Sequence, residues 1–339
     1  MTSRTKQLNN FDEIKPFNYN KGNKIKNISV TVCIATIYNN NSILAISDRM
    51  ITGGYGDTTF ETQVSKIHPL SNSIAVLMAG DQSIQSQVFA RVLKVISEKI
   101  SANPAKWIDI AEAAKIYSDC FKEIRKEFAE NSVLSKYNLN FDSFIKNQNG
   151  MKDYLIEAIN RELEKFYKMF GVIASLIVGI DETGPHVYVV EGETISCNDM
   201  IGFAAIGIGE SHALSHLMLS SYSPFSDEPN ALLTIHQAKK KAEVSPGVGK
   251  ATDMCIIGPD KGTLKLIHPI EKDGKVIDVI NDLDVFYEKY KKNIHRIDQK
   301  TKKSIQKYLN DLVKTKEEKQ KPIDDNLIDE SKLIVDKKI

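Results

Sequence analysis

The chain has 339 residues, 42% of them apolar, and a formal charge of +1. That length is enough for a sizeable core in one large domain or two, and the near-neutral total gives no overall pull toward nucleic acid or an anionic membrane. Cysteines at 33, 120, 197 and 255 form no C-x-x-C pair, which favours reduced thiols in a cytoplasmic protein over a disulfide scaffold. The longest apolar run, 172–180, is far short of a membrane span, and the first residues lack the apolar core of a secretory signal.

Residues 1–30 are rich in Asn and Lys, with few apolar groups before Ile28. They read as a loosely held arm, either a propeptide or an ordinary tail. Next come two apolar runs flanking Asn39-Asn40-Asn41, the signature of a hairpin turn, then a Gly-rich bend and a third run over 74–79 that ends at Gly80. In this pattern Thr31 opens the first strand, Asp48 closes the second, Lys66 sits on the following segment and Gly80 ends the third run. A hydroxyl, a carboxylate, an amine and a glycine backbone at strand ends make an acyl-transfer site.

Apolar residues at 84, 88, 92 and 96 predict a helix over 82–100. Asn103-Pro104 reads as the start of a second helix, whose stripe runs from Trp107 to Phe128. Residues 132–150 are polar and turn-rich, and 151–170 is amphipathic again. Strands resume at 172–180 and 186–190 around a Thr183-Gly184-Pro185 turn. The segment A-I-G-I-G over 205–209 leads into a helix at Ala213, a further helix is expected over 231–242, and a strand over 252–258. From Leu283 a charged amphipathic helix extends to about Lys316. It reads equally as a docking helix for a neighbouring subunit or as one folded back on its own domain.

The ordered set Thr31, Asp48, Lys66 and Met78-Ala79-Gly80, joined to A-I-G-x-G at 205–209, resembles proteasome β subunits and related N-terminal-nucleophile hydrolases, as a divergent bacterial or archaeal member. The resemblance covers roughly 28–100 and 171–268. It implies an α+β fold, a four-layer αββα sandwich with antiparallel sheets, spanning residues 31–280. A helical insertion at about 130–168 and an extension over 281–339 would be added to it. It also implies that cleavage at the Val30-Thr31 bond frees the Thr31 α-amine. That amine then acts as base for the Thr31 hydroxyl, with Asp48 holding Lys66 charged and Gly80 N–H donating to the oxyanion. Ser245 stands for a supporting serine.

Several positions depart from the family pattern. Val30 stands where active relatives carry Gly, Ile208 where they carry Ser, and Ala242 where they carry Asp, with Glu243 beside it. The resemblance therefore implies three readings: a threonine peptidase acting on polypeptides, a non-catalytic ring or scaffold subunit, or a small-molecule amidase. The first implies a homo-oligomeric ring and an ATP-dependent unfoldase as partners, with no cofactor, metal, nucleic acid or membrane.

Weaker constellations read blandly. The segment 247–252 lacks the earlier glycine of a phosphate loop, because position 244 is Val. His212 and His216 have no third ligand in register. Cys33 reads as a small buried residue rather than a reserve nucleophile. The Lys/Arg-rich segment 288–303 reads as a solvated face.

Overall fold

Two short apolar runs build the first hairpin. β1 (Cys33–Tyr38) and β2 (Ser42–Asp48) pair antiparallel with Tyr38 opposite Ser42. Asn39 and Asn40 make the turn at φ of 49° and 53°, a left-handed conformation that Asn tolerates better than most side chains. Thr31, expected to open the first strand, lies two residues ahead of it: pairing with β2 begins at Cys33. The Gly-rich bend that follows carries a small hairpin, β3 (Met50–Gly53) with β4 (Thr58–Glu61), before β5 (Ile67–Ser71) and β6 (Ile74–Ala79).

This computed structural model describes residues 31–53, 58–103, 107–169, 173–260, 262–267, 269–272 and 275–319. The 1–30 arm with Val30, the expected helix-opening Pro104, Phe170, Val172 at the start of the expected 172–180 strand, and the tail beyond 319 lie outside them. The chain divides into two compact units between His268 and Pro269.

In the first unit, Gly80 leads into α1 (Gln82–Ala102), followed by α2 (Ile110–Ser132), α3 (Phe141–Asn147) and α4 (Asp153–Met169). Asp81 caps α1 by accepting from Ser83 and Ile84 N–H, and Asp109 caps α2 by accepting from Ala111 and Glu112 N–H. Such caps contribute about 1 kcal/mol each. The second helix therefore starts at Ile110, later than the Asn103-Pro104 signal suggested. The stretch read as turns, 132–150, holds α3 and two 3₁₀ turns, because Asn140 and Ser143 form a capping box and Phe144 and Leu134 are buried. These residues close a separate apolar cluster with Val133, Ile159 and Leu163.

The chain continues through β7 (Ala174–Asp181), β8 (Gly184–Glu191), β9 (Thr194–Cys197) and β10 (Phe203–Ile206). Then come α5 (Glu210–Leu219), α6 (Glu228–Ala242), β11 (Thr252–Ile257) and β12 (Leu264–Leu266). Two five-stranded antiparallel sheets result, ordered β10-β1-β2-β11-β12 and β5-β6-β7-β8-β9. Their inner faces meet through Cys33, Ala35, Ile43, Leu77, Leu176 and Val178. Each large aliphatic group buried there stabilises by about 1.5–3 kcal/mol. The outer face of the β6–β7 sheet takes α1 and α2 through Val76, Ile177, Val88, Val92, Ile110 and Tyr117. The outer face of the β1–β2 sheet takes α5 and α6. Both faces of β1 and β2 are covered, so these strands read as unbroken apolar runs rather than an alternation. The fold class is α+β with antiparallel sheets.

The β7–β8 turn carries a polar staple. His186 Nδ1 lies 2.6 Å from Asp199 Oδ2, and its Nε2 lies 2.6 Å from Thr183 Oγ1 and 3.1 Å from Asp181 Oδ1. Asp181 also accepts from Ile110 N–H at 3.0 Å and so fixes the start of α2. Burial disfavours the charged ring, but the hydrogen bond to Asp199 and the charges of Asp181 and Asp199 outweigh it and raise the His186 pKa.

The second unit holds the hairpin β13 (Ile270–Lys272) with β14 (Lys275–Ile277) and the 41-residue α7 (Val279–Lys319). Among the described residues no helix is long and apolar enough to cross a membrane.

Candidate active site

Three residues from three segments meet just ahead of β1. Thr31, 2% exposed, donates its hydroxyl proton to Asp48 Oδ1 at 2.5 Å and accepts from the Lys66 ammonium. Lys66 Nζ also donates to Asp48 Oδ1 at 2.7 Å. The pairing register explains the meeting. Asp48 ends β2 opposite the approach to β1, and its own N–H reaches Val32 O at 3.2 Å. Lys66 is carried in from the other sheet by β5, whose edge is fixed where Met78 N–H donates to Lys66 O at 3.2 Å.

Asp48 is fully buried and collects five donors. Besides Thr31 and Lys66 it accepts from Val32 N–H at 3.1 Å, Met50 N–H at 3.1 Å and Gly249 N–H at 2.8 Å. A carboxylate offers about four lone-pair sites. One so occupied orients its neighbours. The Thr31 hydroxyl thus sits between Lys66 and a carboxylate held by five donors.

The Thr31 backbone is held as closely. Its carbonyl accepts from Gly209 N–H at 3.2 Å. Gly207, with φ of +94°, passes so near that a Cβ there would lie 2.4 Å from Thr31 O. That is the physical reason for the first glycine in A-I-G-I-G.

Gly80 makes no hydrogen bond with the Thr31 side chain, whose partners are Asp48 and Lys66. Two links set its place. Cys33 Sγ lies 3.7 Å from Met78 O, bridging the sheets two residues from each group. Gln85, buried in the first turn of α1, donates from Nε2 to Ala79 O at 3.0 Å. Ala79 O belongs to the peptide unit that carries Gly80 N–H. In a trans peptide the two groups point opposite ways, so holding the carbonyl aims the N–H. Gln85 is itself fixed: Nε2 also donates to Ala174 O at 3.2 Å, and Oε1 accepts from Tyr117.

The other expected residues fall differently. Ser245 is buried but donates to Ile208 O at 3.4 Å, so it braces the 207–209 segment and does not reach the Thr31 hydroxyl. Glu243 does not replace the missing Asp. Its carboxylate is engaged by Lys239 at 2.6 Å and Lys240 at 3.2 Å. Cys33 is no reserve nucleophile, since burial pushes its thiol up to about 12, Lys66 offsetting only part of that. His216 is half-buried and sits 3.2 Å from Gln237 Oε1. Among the described residues no group of three or more His, Cys, Asp or Glu is arranged to hold a metal.

The 247–252 segment, dismissed as a phosphate loop, is part of the site. Gly249 closes on Asp48, and a Cβ there would lie 2.7 Å from Glu61 Oε1. Glu61 accepts from the amides of Lys250 and Ala251. The fully buried Lys239 donates to Gly249 O at 3.0 Å and Lys250 O at 2.7 Å. Burial lowers the Lys239 pKa against the opposing pull of Glu243. Sequence reasoning missed Lys239, Glu61, Gly249 and Gln85. The one available signal was the paired glycine at 247 and 249, because Lys239 lies in a Lys-Lys-Lys run that reads as surface. The chain matches no protein-family model, and no curated protein matches it.

Proposed function

We propose that this chain is a proteasome-like threonine peptidase, an N-terminal-nucleophile sandwich of αββα type that processes itself at the Val30-Thr31 bond. The observation that carries the reading is the buried Thr31 hydroxyl held between Lys66 and a five-donor Asp48. A Thr hydroxyl is a poor nucleophile until a base takes its proton. The α-amine released by cleavage supplies one, with an ordinary pKa near 8.

The steps balance simply. In processing, Thr31 Oγ attacks the Val30 carbonyl and its proton passes to the departing Thr31 nitrogen, so that the acyl group moves from nitrogen to oxygen, and water hydrolyses the ester to free the amine. In turnover, the amine takes the Oγ proton as Oγ attacks a peptide carbonyl. The proton passes to the leaving amine, and water then hydrolyses the acyl ester. Lys66 stabilises negative charge on Oγ, Asp48 holds Lys66, and Gly80 N–H faces the developing oxyanion, a contact worth a few kcal/mol. Polypeptide substrates, a homo-oligomeric ring, a cytoplasmic setting and an ATP-dependent unfoldase belong to the same proposal.

A second reading, a non-catalytic ring subunit, is favoured by one observation. Ser245 and Glu243 are engaged elsewhere and leave the Thr31 hydroxyl without their support. Intact-mass measurement of the purified protein separates the two. Loss of residues 1–30 with Thr31 as the new N-terminus supports the peptidase, and uncleaved protein without turnover supports the scaffold. Turnover of small amides but not peptides would redirect the proposal to an amidase.

A further inference from the structure

We infer that α7 is a membrane-surface helix, laying an apolar stripe with basic edges onto an anionic lipid bilayer. The inference is independent of chemistry at Thr31. At about 100° per residue, Phe286, Tyr290, Ile294, Ile297 and Ile305 fall within an arc of about 100° over about five turns. All five are exposed, between 38% and 61%, whereas Leu283 and Tyr287 on the same arc in the first turns are buried, so the arc is covered at its start and free beyond Tyr287. The stripe runs straight along the helix for roughly 30 Å, at 1.5 Å per residue.

Charge decides what covers it. Between 289 and 307 there are eight Lys or Arg against the single Asp298, a local net of +7 in a chain whose total is +1. Every residue in this stretch is exposed. By the same helical geometry Lys289, Arg296, Lys300 and Lys307 line one edge of the stripe, while Lys291 and Lys302 line the other together with Asp298.

A second copy of this helix laid alongside it over 289–307 would set those cationic edges against each other, with Asp298 the one acidic residue of that stretch to offset them. Nucleic acid would satisfy the cations and leave Phe286, Ile294 and Ile297 in water. A bilayer with anionic headgroups takes both. The apolar stripe enters the headgroup–acyl boundary, and the lysine stems reach along it to place their ammonium groups among the phosphates. The cytoplasmic leaflet carries such a negative surface, worth about 1 kcal/mol per basic residue near it. The helix is too polar to span, so it lies in the surface plane.

The test is co-sedimentation of the full chain with vesicles of phosphatidylcholine alone and with 30% phosphatidylserine, in low and high salt. Binding is expected on the anionic vesicles alone, weakening as salt rises. Lys300→Gln with Lys302→Gln should lower partitioning roughly 30-fold, the effect of two cationic charges at the surface. Ile294→Ser with Ile297→Ser should lower it at least about tenfold through lost apolar burial. These positions are exposed, so circular dichroism matching the wild type will show that folding is intact. No binding to anionic vesicles, or binding indifferent to both double variants, overturns the inference. So does a fall in light-scattering mass in the isoleucine variant, which would assign the stripe to a second copy.

Discussion

Gly249 donates its backbone N–H to the Asp48 carboxylate at 2.8 Å across 201 positions of sequence. Without that bond the carboxylate that faces Thr31 and Lys66 would have one oxygen held by Met50 N–H alone. The bond requires glycine by space rather than by backbone angle: Met50 N lies 3.1 Å, and Glu61 Oε1 2.7 Å, from where a Cβ would stand. Gly249→Ala is therefore expected to destabilise by about 1–3 kcal/mol, combining overpacking with a weakened hydrogen bond to a charged group. Denaturant unfolding measures it, and a loss below about 0.5 kcal/mol would show that the loop relaxes freely.

Thr31→Ala should abolish both self-cleavage and turnover while leaving the assembly size unchanged. Lys66→Ala should do the same, because both reactions need negative charge stabilised on the Thr31 oxygen. Lys66→Arg should recover little, since a planar guanidinium does not place one donor between Thr31 and Asp48. Intact mass and peptide hydrolysis read the outcome, and wild-type turnover in either alanine variant would remove that residue from the mechanism.

Gln85→Leu should lower kcat about tenfold or more with KM little changed, because the Ala79–Gly80 peptide would lose the donor that holds its carbonyl. Stability should also fall by about 1–3 kcal/mol, since Ala79 O, Ala174 O and the Tyr117 hydroxyl all lose a buried partner. An unchanged kcat in a destabilised variant would leave Gln85 as a core residue alone.

The His186 staple gives a pH signature. The histidine pKa is raised in the folded chain, so its contribution is complete below the unfolded value near 6.5 and is lost as pH rises through the folded value. Asp181 is the opposite case: burial works against it, but Ile110 N–H, Thr183 and His186 depress its pKa. Its contribution is present above the usual carboxylate value near 4 and is lost as pH falls through the folded one. The Tm advantage of wild type over His186→Gln should be greatest between about pH 4 and 6.5 and shrink by pH 9. An advantage that is flat across this range would show the ring to be neutral throughout.

Thiol labelling tests the site's enclosure. Cys33 and Cys255 are fully buried, with burial pushing each thiol up to about 12, whereas Cys197 is exposed. Native protein treated with iodoacetamide at pH 8 should carry the label at Cys197 well before Cys33, and peptide mapping locates it. Equal labelling would mean that the ground ahead of β1 opens to solvent.

The sequence by itself determined much of this protein, because local rules act over few residues. The Asn39-Asn40 turn, the α1 stripe of Val88, Val92 and Ile96, the α7 pattern and the apolar runs of β1, β2 and β7 all follow from backbone preference and periodicity. It also brought Thr31, Asp48 and Lys66 forward as a set, since each lies at or beside a strand end where the apolar pattern breaks. Antiparallel pairing alone brings two of them together: Asp48 falls opposite the residues ahead of Cys33 once Cys33 pairs with Ser47. What tertiary structure decided is how those groups are supported. Lys239 lies within a run of lysines, yet folding buries it against the carbonyls of Gly249 and Lys250. Glu243 stands next to the expected acidic position, yet the turn of α6 hands its carboxylate to Lys239 one turn back. Gln85 has no helical signature of its own, yet the docking of α1 on β6 sets it against Ala79. Each of these partnerships joins elements that meet only when sheet and helix pack, and desolvation there makes an unpaired polar group too costly to leave. Periodicity carries no record of which distant backbone groups that packing brings within reach.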